Sequence, residues 1–331
     1  MLTRAFTKPK KSFKLEYGEQ SRSGSFSDYD DCIVGFMDDL PLVSCENNGP
    51  PLSLKEVLRT SVGVMAESGR GLTEKVVLSK GKVCALKRFR KVIVRRNEFG
   101  RRVGRLAQVC NKCEYLVPIT AYLYSRRIKL VLLDYYPMGS LADLLEGGRS
   151  GQTALNWNER LTITVNIARA IAFIHSQSPT TVKNMKMNVH GTIKPTNVMI
   201  NIDMTARLSD YGFVQLAECG DDPDNKERPI TSYCDSLTQK CDIYNFGLLI
   251  LDILGGVKDP GFIKCVLESK ESIKQGKISF FEFDVEGKER KQALKVLEIA
   301  LYCTNRLPEA RPSIDQILLN LNDILNSGTT K

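Results

Sequence analysis

The stretch DIYNFGLLILDILGG, residues 242–256, is apolar on nearly every side when wound at about 3.6 residues per turn. A helix of that kind has no face for water, so it must be buried as the central post of a helical domain. The sequence around it supplies the covering layer. LNWNERLTITVNIARAIAFIHS (155–176) reads as a long helix capped by Asn156, and LKVLEIALYCTN (294–305) and SIDQILLNLNDIL (313–325) read as two amphipathic helices. With 42% hydrophobic residues in 331, the chain has the material for a real core.

The preceding part has a different period. SLKEVLRT (53–60) reads as a short helix, while KVVLS (75–79) and KVCALKRF (82–89) read as strands joined by a Lys-Gly turn. NEFGRRVGRLAQV (97–109) places Phe99, Val103, Leu106 and Val109 on one helical stripe, and IKLVLLDYY (128–136) is a further apolar strand. The pattern is α+β: a small strand-rich unit over residues 52–136, a larger helical unit over 137–326 and a short tail at 327–331. No internal repeat is present.

Residues 1–51 are polar and broken, with a basic start (Arg4, Lys8, Lys10, Lys11, Lys14), then SRSGSFSDYDD, then CENNGPP. Such a segment cannot bury enough apolar area to offset its ordering entropy and is expected to be a flexible leader. Its cations suit an anionic membrane surface, with a solvated tail as the alternative. Ser21, Ser23, Ser25, Ser27 and Tyr29 are candidate phosphorylation sites, where added charge would lengthen the acidic run of Asp28, Asp30 and Asp31 and switch its contact with the basic small unit. The alternative is a solubilising linker.

No run of 18 apolar residues exists and the first fifteen residues lack a signal-peptide core, so the chain as given is expected to be soluble. Ten scattered cysteines in a chain this long argue for a reducing compartment, and the lone Cys110-x-x-Cys113 reads as two ordinary thiols rather than zinc ligands. The net charge of +9 is concentrated in residues 80–105, which hold eleven Lys or Arg against Glu98 alone. Phe89 and Phe99 are its only rings, so base stacking is not supported; an anionic partner or a solvated basic face fits better than nucleic acid.

Read in order, VCALK (83–87), LVLLDYYPMGSLADLL (130–145), NVHGTIKPTN (188–197), LSDYG (208–212) and RPSIDQILLNL (311–321) resemble the motifs of the plant leucine-rich-repeat receptor-like kinases, in their intracellular domains and the atypical members among them. The resemblance covers residues 52–325 and implies a two-lobed protein kinase-like fold, with a β-rich N-lobe and a helical C-lobe. It makes Lys87 the lysine that holds the ATP phosphates, Asp210 the magnesium ligand, Asn197 the second metal ligand and Lys194 the lysine steadying the transferred phosphoryl. Gly71 and the hinge residues Asp134 and Tyr136 would complete the nucleotide site.

Four departures accompany it. The glycine-rich loop reads AESGRG, with Ala66 and Ser68 in place of two glycines and only Gly71 kept, so phosphate cradling is expected to weaken. Arg102 stands three residues after Phe99, where a glutamate would pair with Lys87; a one-turn shift of register would rescue the pair through Glu98. Thr192 stands where the family has an aspartate that accepts the substrate proton, a loss of roughly 10²–10⁴ in rate, or about 3–5 kcal/mol. Finally, no Ala-Pro-Glu lies between Asp210 and Asp242, which leaves Arg311 to find another partner.

These observations lead to a pseudokinase domain of a receptor-like kinase that signals through protein contacts, with ATP and Mg²⁺ binding weakened or absent. The alternatives are a weak serine/threonine kinase and an interaction module that binds no nucleotide. The implied partners are other receptor kinases or signalling proteins. The implied location is the cytoplasmic side of the plasma membrane as part of a receptor, or the cytoplasm if the chain is complete.

Overall fold

The computed structural model describes residues 39–46, 51–152, 154–179, 185–218, 237–257 and 259–327. Its elements in chain order are β1 (Val43–Ser44), α1 (Leu54–Arg59), β2 (Ser61–Ser68), β3 (Gly71–Val77), β4 (Val83–Phe89), α2 (Arg96–Cys110), β5 (Ile119–Tyr124), β6 (Lys129–Asp134), α3 (Leu141–Arg149), α4 (Trp157–His175), β7 (Val198–Ile200), β8 (Ala206–Leu208), α5 (Gln239–Gly255), α6 (Ile263–Lys274), α7 (Gly287–Cys303) and α8 (Ile314–Asn326). They form an α+β protein of two lobes, one built on a sheet and one on helices. The leader and its candidate phosphorylation sites lie outside the described residues.

The small lobe is an antiparallel sheet in the order β1-β5-β6-β4-β3-β2. Alternation along β4 sends Ala85, Lys87 and Phe89 to one face and Cys84, Leu86 and Arg88 to the other. On the second face Arg88 reaches back to Glu74 on β3, giving a buried ion pair with Nη2 to Oε1 at 3.0 Å and Nε to Oε2 at 2.8 Å. α1, capped by the Ser53 hydroxyl, lays Leu54 and Val57 into this side of the lobe. On the first face α2 buries the expected stripe, and its Phe99 meets Phe89, Tyr122 and Tyr124 edge-on or tilted at 5.3–6.1 Å between ring centres.

In the large lobe α5 is the buried post that its all-round apolar sequence requires: Ile243, Phe246, Leu249, Ile250, Leu251 and Leu254 have almost no accessible surface. It ends at Gly256, whose φ of +67° is the left-handed turn that glycine adopts without strain. α4 starts in a capping box, with the Asn156 side chain accepting from the Glu159 N–H at 3.0 Å and Glu159 accepting in return from the Asn156 N–H at 2.9 Å. Buried Arg160 donates to the carbonyls of Leu155 and Ile253, the second of which belongs to the last turn of α5.

α5 packs closely against α7. A Cβ at Gly247 would lie 2.7 Å from the Cys303 Cβ, 2.8 Å from the Thr304 Cγ2 and 3.0 Å from the Ala300 carbonyl. The Cys303 Cβ and the Ala300 carbonyl are fixed by the backbone and cannot swing aside. Gly247→Ala is therefore expected to destabilise the protein by about 1–3 kcal/mol through overpacking, read as a thermal midpoint lower by roughly 2–10 °C. An unchanged midpoint would mean that the two helices can move apart at no cost.

Candidate functional site

The site is assembled around one buried carboxylate. Asp242, in the first turn of α5, has no accessible surface and accepts from the backbone N–H of His190 at 2.7 Å, that of Gly191 at 2.9 Å and the His175 Nε2 at 3.1 Å. This pins loop 190–197 to the post of the large lobe. Gly191 is required there: its φ is +88°, and a Cβ would meet Leu237 and Val214 at 2.6 and 2.7 Å. The His190 ring is fully buried, with Nε2 on the Ser209 carbonyl at 3.0 Å and Nδ1 accepting from the Thr192 N–H at 3.1 Å. Those two contacts assign the proton to Nε2 and make the ring neutral. Burial holds its pKa below the usual histidine value, with only partial compensation from Asp242 and Asp210.

The β7–β8 hairpin brings the loop's far end to the next motif. Val198 faces Leu208 across it, so Asn197 and Ser209 are neighbours, and the Ser209 N–H donates to the Asn197 carbonyl at 2.7 Å. The Asn197 side chain turns back into its own loop, where Nδ2 donates to the Thr192 carbonyl at 2.8 Å. Lys194 is exposed, and its charge acts on Asp210. The Thr192 hydroxyl is buried and has no hydrogen-bond partner among the described residues.

Asp210 adopts the left-handed conformation, with φ of +65°. Its carboxylate is paired with the Lys87 ammonium, and both side chains are buried. Burial pushes its pKa up, but the Lys87 charge and hydrogen bond, helped by Lys194, hold it below the ordinary aspartate range. The Phe213 ring, three residues on, lies 5.9 Å from the Lys87 ammonium and 5.5 Å from Phe89. Lys87 and Asp210, 123 positions apart, thus tie the two lobes together directly.

The rescue that a one-turn shift of register would allow through Glu98 does not occur. Glu98 is held by Arg101 and by the Arg102 Nε at 2.7 Å, a partner one turn along the same helix and therefore nearer than Lys87. Nor does Arg102 crowd Lys87: the buried guanidinium points at the segment after Asp210 and donates from Nη1 to the Gln215 carbonyl at 2.7 Å. Gln215 is a site residue that sequence reasoning missed. Its amide brackets Lys186, accepting from the N–H at 2.7 Å and donating to the carbonyl at 2.9 Å. No spacing in the sequence signals that role.

AESGRG forms a tight β2–β3 hairpin rather than an open loop. Ala66 faces Thr73, Glu67 faces Leu72 and Ser68 faces Gly71, with only Gly69 and Arg70 at the turn. Gly71 is needed because a Cβ would fall 1.9 Å from the Arg88 carbonyl. At the hinge, burial raises the Asp134 pKa and pushes that of Tyr136 up to about 12, while the Arg207 guanidinium sits 5.6 Å from the Tyr136 ring centre. Arg311 is buried and donates to the carbonyls of Asn305 and Lys240, both at 2.8 Å, beside the Tyr244 ring at 4.7 Å. Residues 219–236, where an Ala-Pro-Glu would fall, lie outside the described residues. Among the described residues, no group of three His, Cys, Asp or Glu could hold a metal ion. Cys110 and Cys113 are buried thiols, the former raised by desolvation.

The protein kinase domain profile matches residues 65–320. The probable inactive receptor kinase At3g08680 of Arabidopsis thaliana is 30% identical over 306 residues, covering 87% of this chain and 46% of its own length. The probable inactive receptor kinase At1g48480 of the same plant is 29% identical over 304 residues, covering 86% of this chain and 44% of its own. The chain thus spans under half the length of the curated relatives it matches. The pseudokinase domain of BIR2, described as an immune regulator of the RLK/Pelle family, superposes with a TM-score of 0.71 at 21% identity, covering 88% of this chain and 92% of that one. The maize SIRK1 kinase domain bound to AMP-PNP gives 0.67 at 21%, covering 86% and 99%.

His190 gives the loop a pH signature. A pKa lowered by folding contributes stability that is complete above the unfolded value of about 6.5 and is lost as pH falls towards the folded value. Denaturant unfolding at about pH 7.5 and 5.5 is expected to show a decline of up to ~1.4 kcal/mol per pH unit across that window. His190→Gln, which keeps one donor and one acceptor, is expected to flatten the decline; an equally steep slope in the variant would assign it elsewhere.

Proposed function

The chain belongs to the protein kinase domain family, with plant leucine-rich-repeat receptor-like kinases among its relatives, and from that premise we propose that it is a pseudokinase domain. The observation that carries the reading is the disposition of the acids around loop 190–197. Thr192 stands at the position of the general base, and its hydroxyl cannot hold a proton taken from a substrate at neutral pH. The carboxylates described above are committed: Asp242 to the His190 and Gly191 backbone, Asp210 to Lys87, and Glu98, on the small-lobe helix, to Arg101 and Arg102. None is free to substitute.

The same arrangement supports weak or absent nucleotide binding. As placed, the residues do not fit a magnesium–ATP complex: the Asp210 carboxylate faces an ammonium, the Asn197 amide is turned into its own loop, and the hairpin pairs its backbone as far as Ser68 and Gly71. A metal and triphosphate would first have to displace the Lys87–Asp210 pair. The alternative of a weakly active kinase requires that displacement and a base from elsewhere; the alternative of a module without nucleotide requires neither.

In the whole protein the domain is proposed to lie on the cytoplasmic side of the plasma membrane and to act by contact with other receptor kinases or signalling proteins. The names of its relatives motivate this. No helix among the described residues is long and apolar enough to cross a membrane.

Phosphotransfer from radiolabelled ATP with Mg²⁺ or Mn²⁺, to the protein itself and to a generic substrate, is expected to match that of a Lys87→Ala, Asp210→Ala control. Label above the control would make the chain an enzyme and the base argument wrong. In parallel, ~1 mM ATP with Mg²⁺ is expected to raise the thermal midpoint by less than about 1 °C, as for a dissociation constant at or above that concentration. A larger shift would leave the base argument intact and show an occupied cleft.

A further inference from the structure

The outer face of the small lobe carries a feature that the cleft does not use. Between the first turns of α2 and the strands β5 and β1 lies a groove of about 400 Å³. Its floor and walls are Tyr122, Tyr124, Leu123 and Val43, and its charged groups are Arg96 and Arg101, with no carboxylate in the lining. The two tyrosine rings are half-buried and braced from behind by Phe99, so they present a rigid apolar surface. Val43 is 49% exposed, although it is a large aliphatic residue in a strand.

The charge of the groove's lining is one-sided. Arg95, beside Arg96, is exposed, and the turn that follows Tyr124 adds exposed Arg126 and Arg127. Glu98 is the nearest acid along the helix, and it is already shared between Arg101 and Arg102. Gathering guanidinium groups around an apolar hollow raises the local potential, and an anionic partner relieves it. The hollow has room for a side chain, which suits a polypeptide better than a lipid surface, and arginines pair with carboxylates through two parallel hydrogen bonds.

We propose that this groove docks an acidic segment of a partner protein. The segment places carboxylates on Arg96 and Arg101 and an apolar or aromatic side chain against Tyr122, Tyr124 and Val43. The inference does not depend on whether the cleft transfers phosphate, since no residue of the groove belongs to the cleft.

The test is fluorescence anisotropy of the full chain with a labelled twelve-residue peptide of Asp and Glu bearing a single Phe. Saturable binding is expected, weakening as salt rises. Arg96→Glu with Arg101→Glu is expected to weaken it by at least about tenfold. Lys274→Glu with Lys277→Glu, the same change of charge on the helical lobe, is expected to stay within about twofold. Arg96→Glu alone, at the exposed start of α2, is expected to lose several-fold without touching the Arg101–Glu98 pair, which keeps the test decisive if the double variant does not fold. No binding to the wild type, or equal losses in both lobes, would overturn the proposal. Phosphatidylserine vesicles and a twelve-nucleotide DNA are run alongside. Tighter binding of either, lost with the same arginines, would reassign the groove and overturn it too.

Discussion

The carboxylate of Asp242 is the interaction on which the rest of the site depends. It is a charge with no accessible surface, tolerated only because two backbone N–H groups and a histidine converge on it. Because it is carried by a helix buried on nearly every side, the loop it holds is anchored to the core. From there a chain of short-range contacts runs outward: His190 to Ser209, Ser209 to Asn197, Asn197 to Thr192. Nothing in that chain requires a nucleotide or a phosphate. The loop is a folded object in its own right, and its geometry says nothing by itself about catalysis.

The charges of the cleft have been redistributed rather than deleted. An arginine at the helix position expected to carry an acid would leave Lys87 a buried cation without a counterion, a state costing several kcal/mol. Two changes of partner avoid it. Lys87 takes Asp210, and Arg102 swings to Glu98 and to the Gln215 carbonyl. Each buried charge ends with an opposite charge and a hydrogen bond, the condition under which such groups are tolerated. On the proposed reading the cost falls on chemistry, because the acid that the resemblance assigns to a metal neutralises a lysine.

The sequence was most legible where periodicity and burial coincide. The all-round apolar run of α5, the Phe99–Val103–Leu106 stripe of α2 and the Asn156 cap of α4 each left a pattern that only one local structure satisfies. Three-residue strands such as β7 and β8 are too short to show a period, and β2 is an edge strand exposed along most of its length, so neither face is written in its residues. The partner of Glu98 is hidden from the sequence for a related reason. Spacing placed it on the correct face of the helix, but the choice between Lys87 and Arg102 is settled by reach, and an i, i+4 neighbour wins. Gln215 was invisible because a glutamine that brackets a backbone from across the fold has no local signature.

The residues that resemble a catalytic set divide by what else they do. Lys87 and Asp210 join the lobes, Asn197 ties its loop, and Asp242 anchors that loop to the core, so replacing any of them would remove a contact the fold uses. Thr192 is different: its backbone N–H and carbonyl are both engaged, but its hydroxyl touches nothing polar among the described residues. A side chain at that position answers only to chemistry. On the proposed reading, release from catalysis therefore leaves the structural members of the set in place and shows first where the side chain carried no structural duty, the one position at which an aspartate is absent.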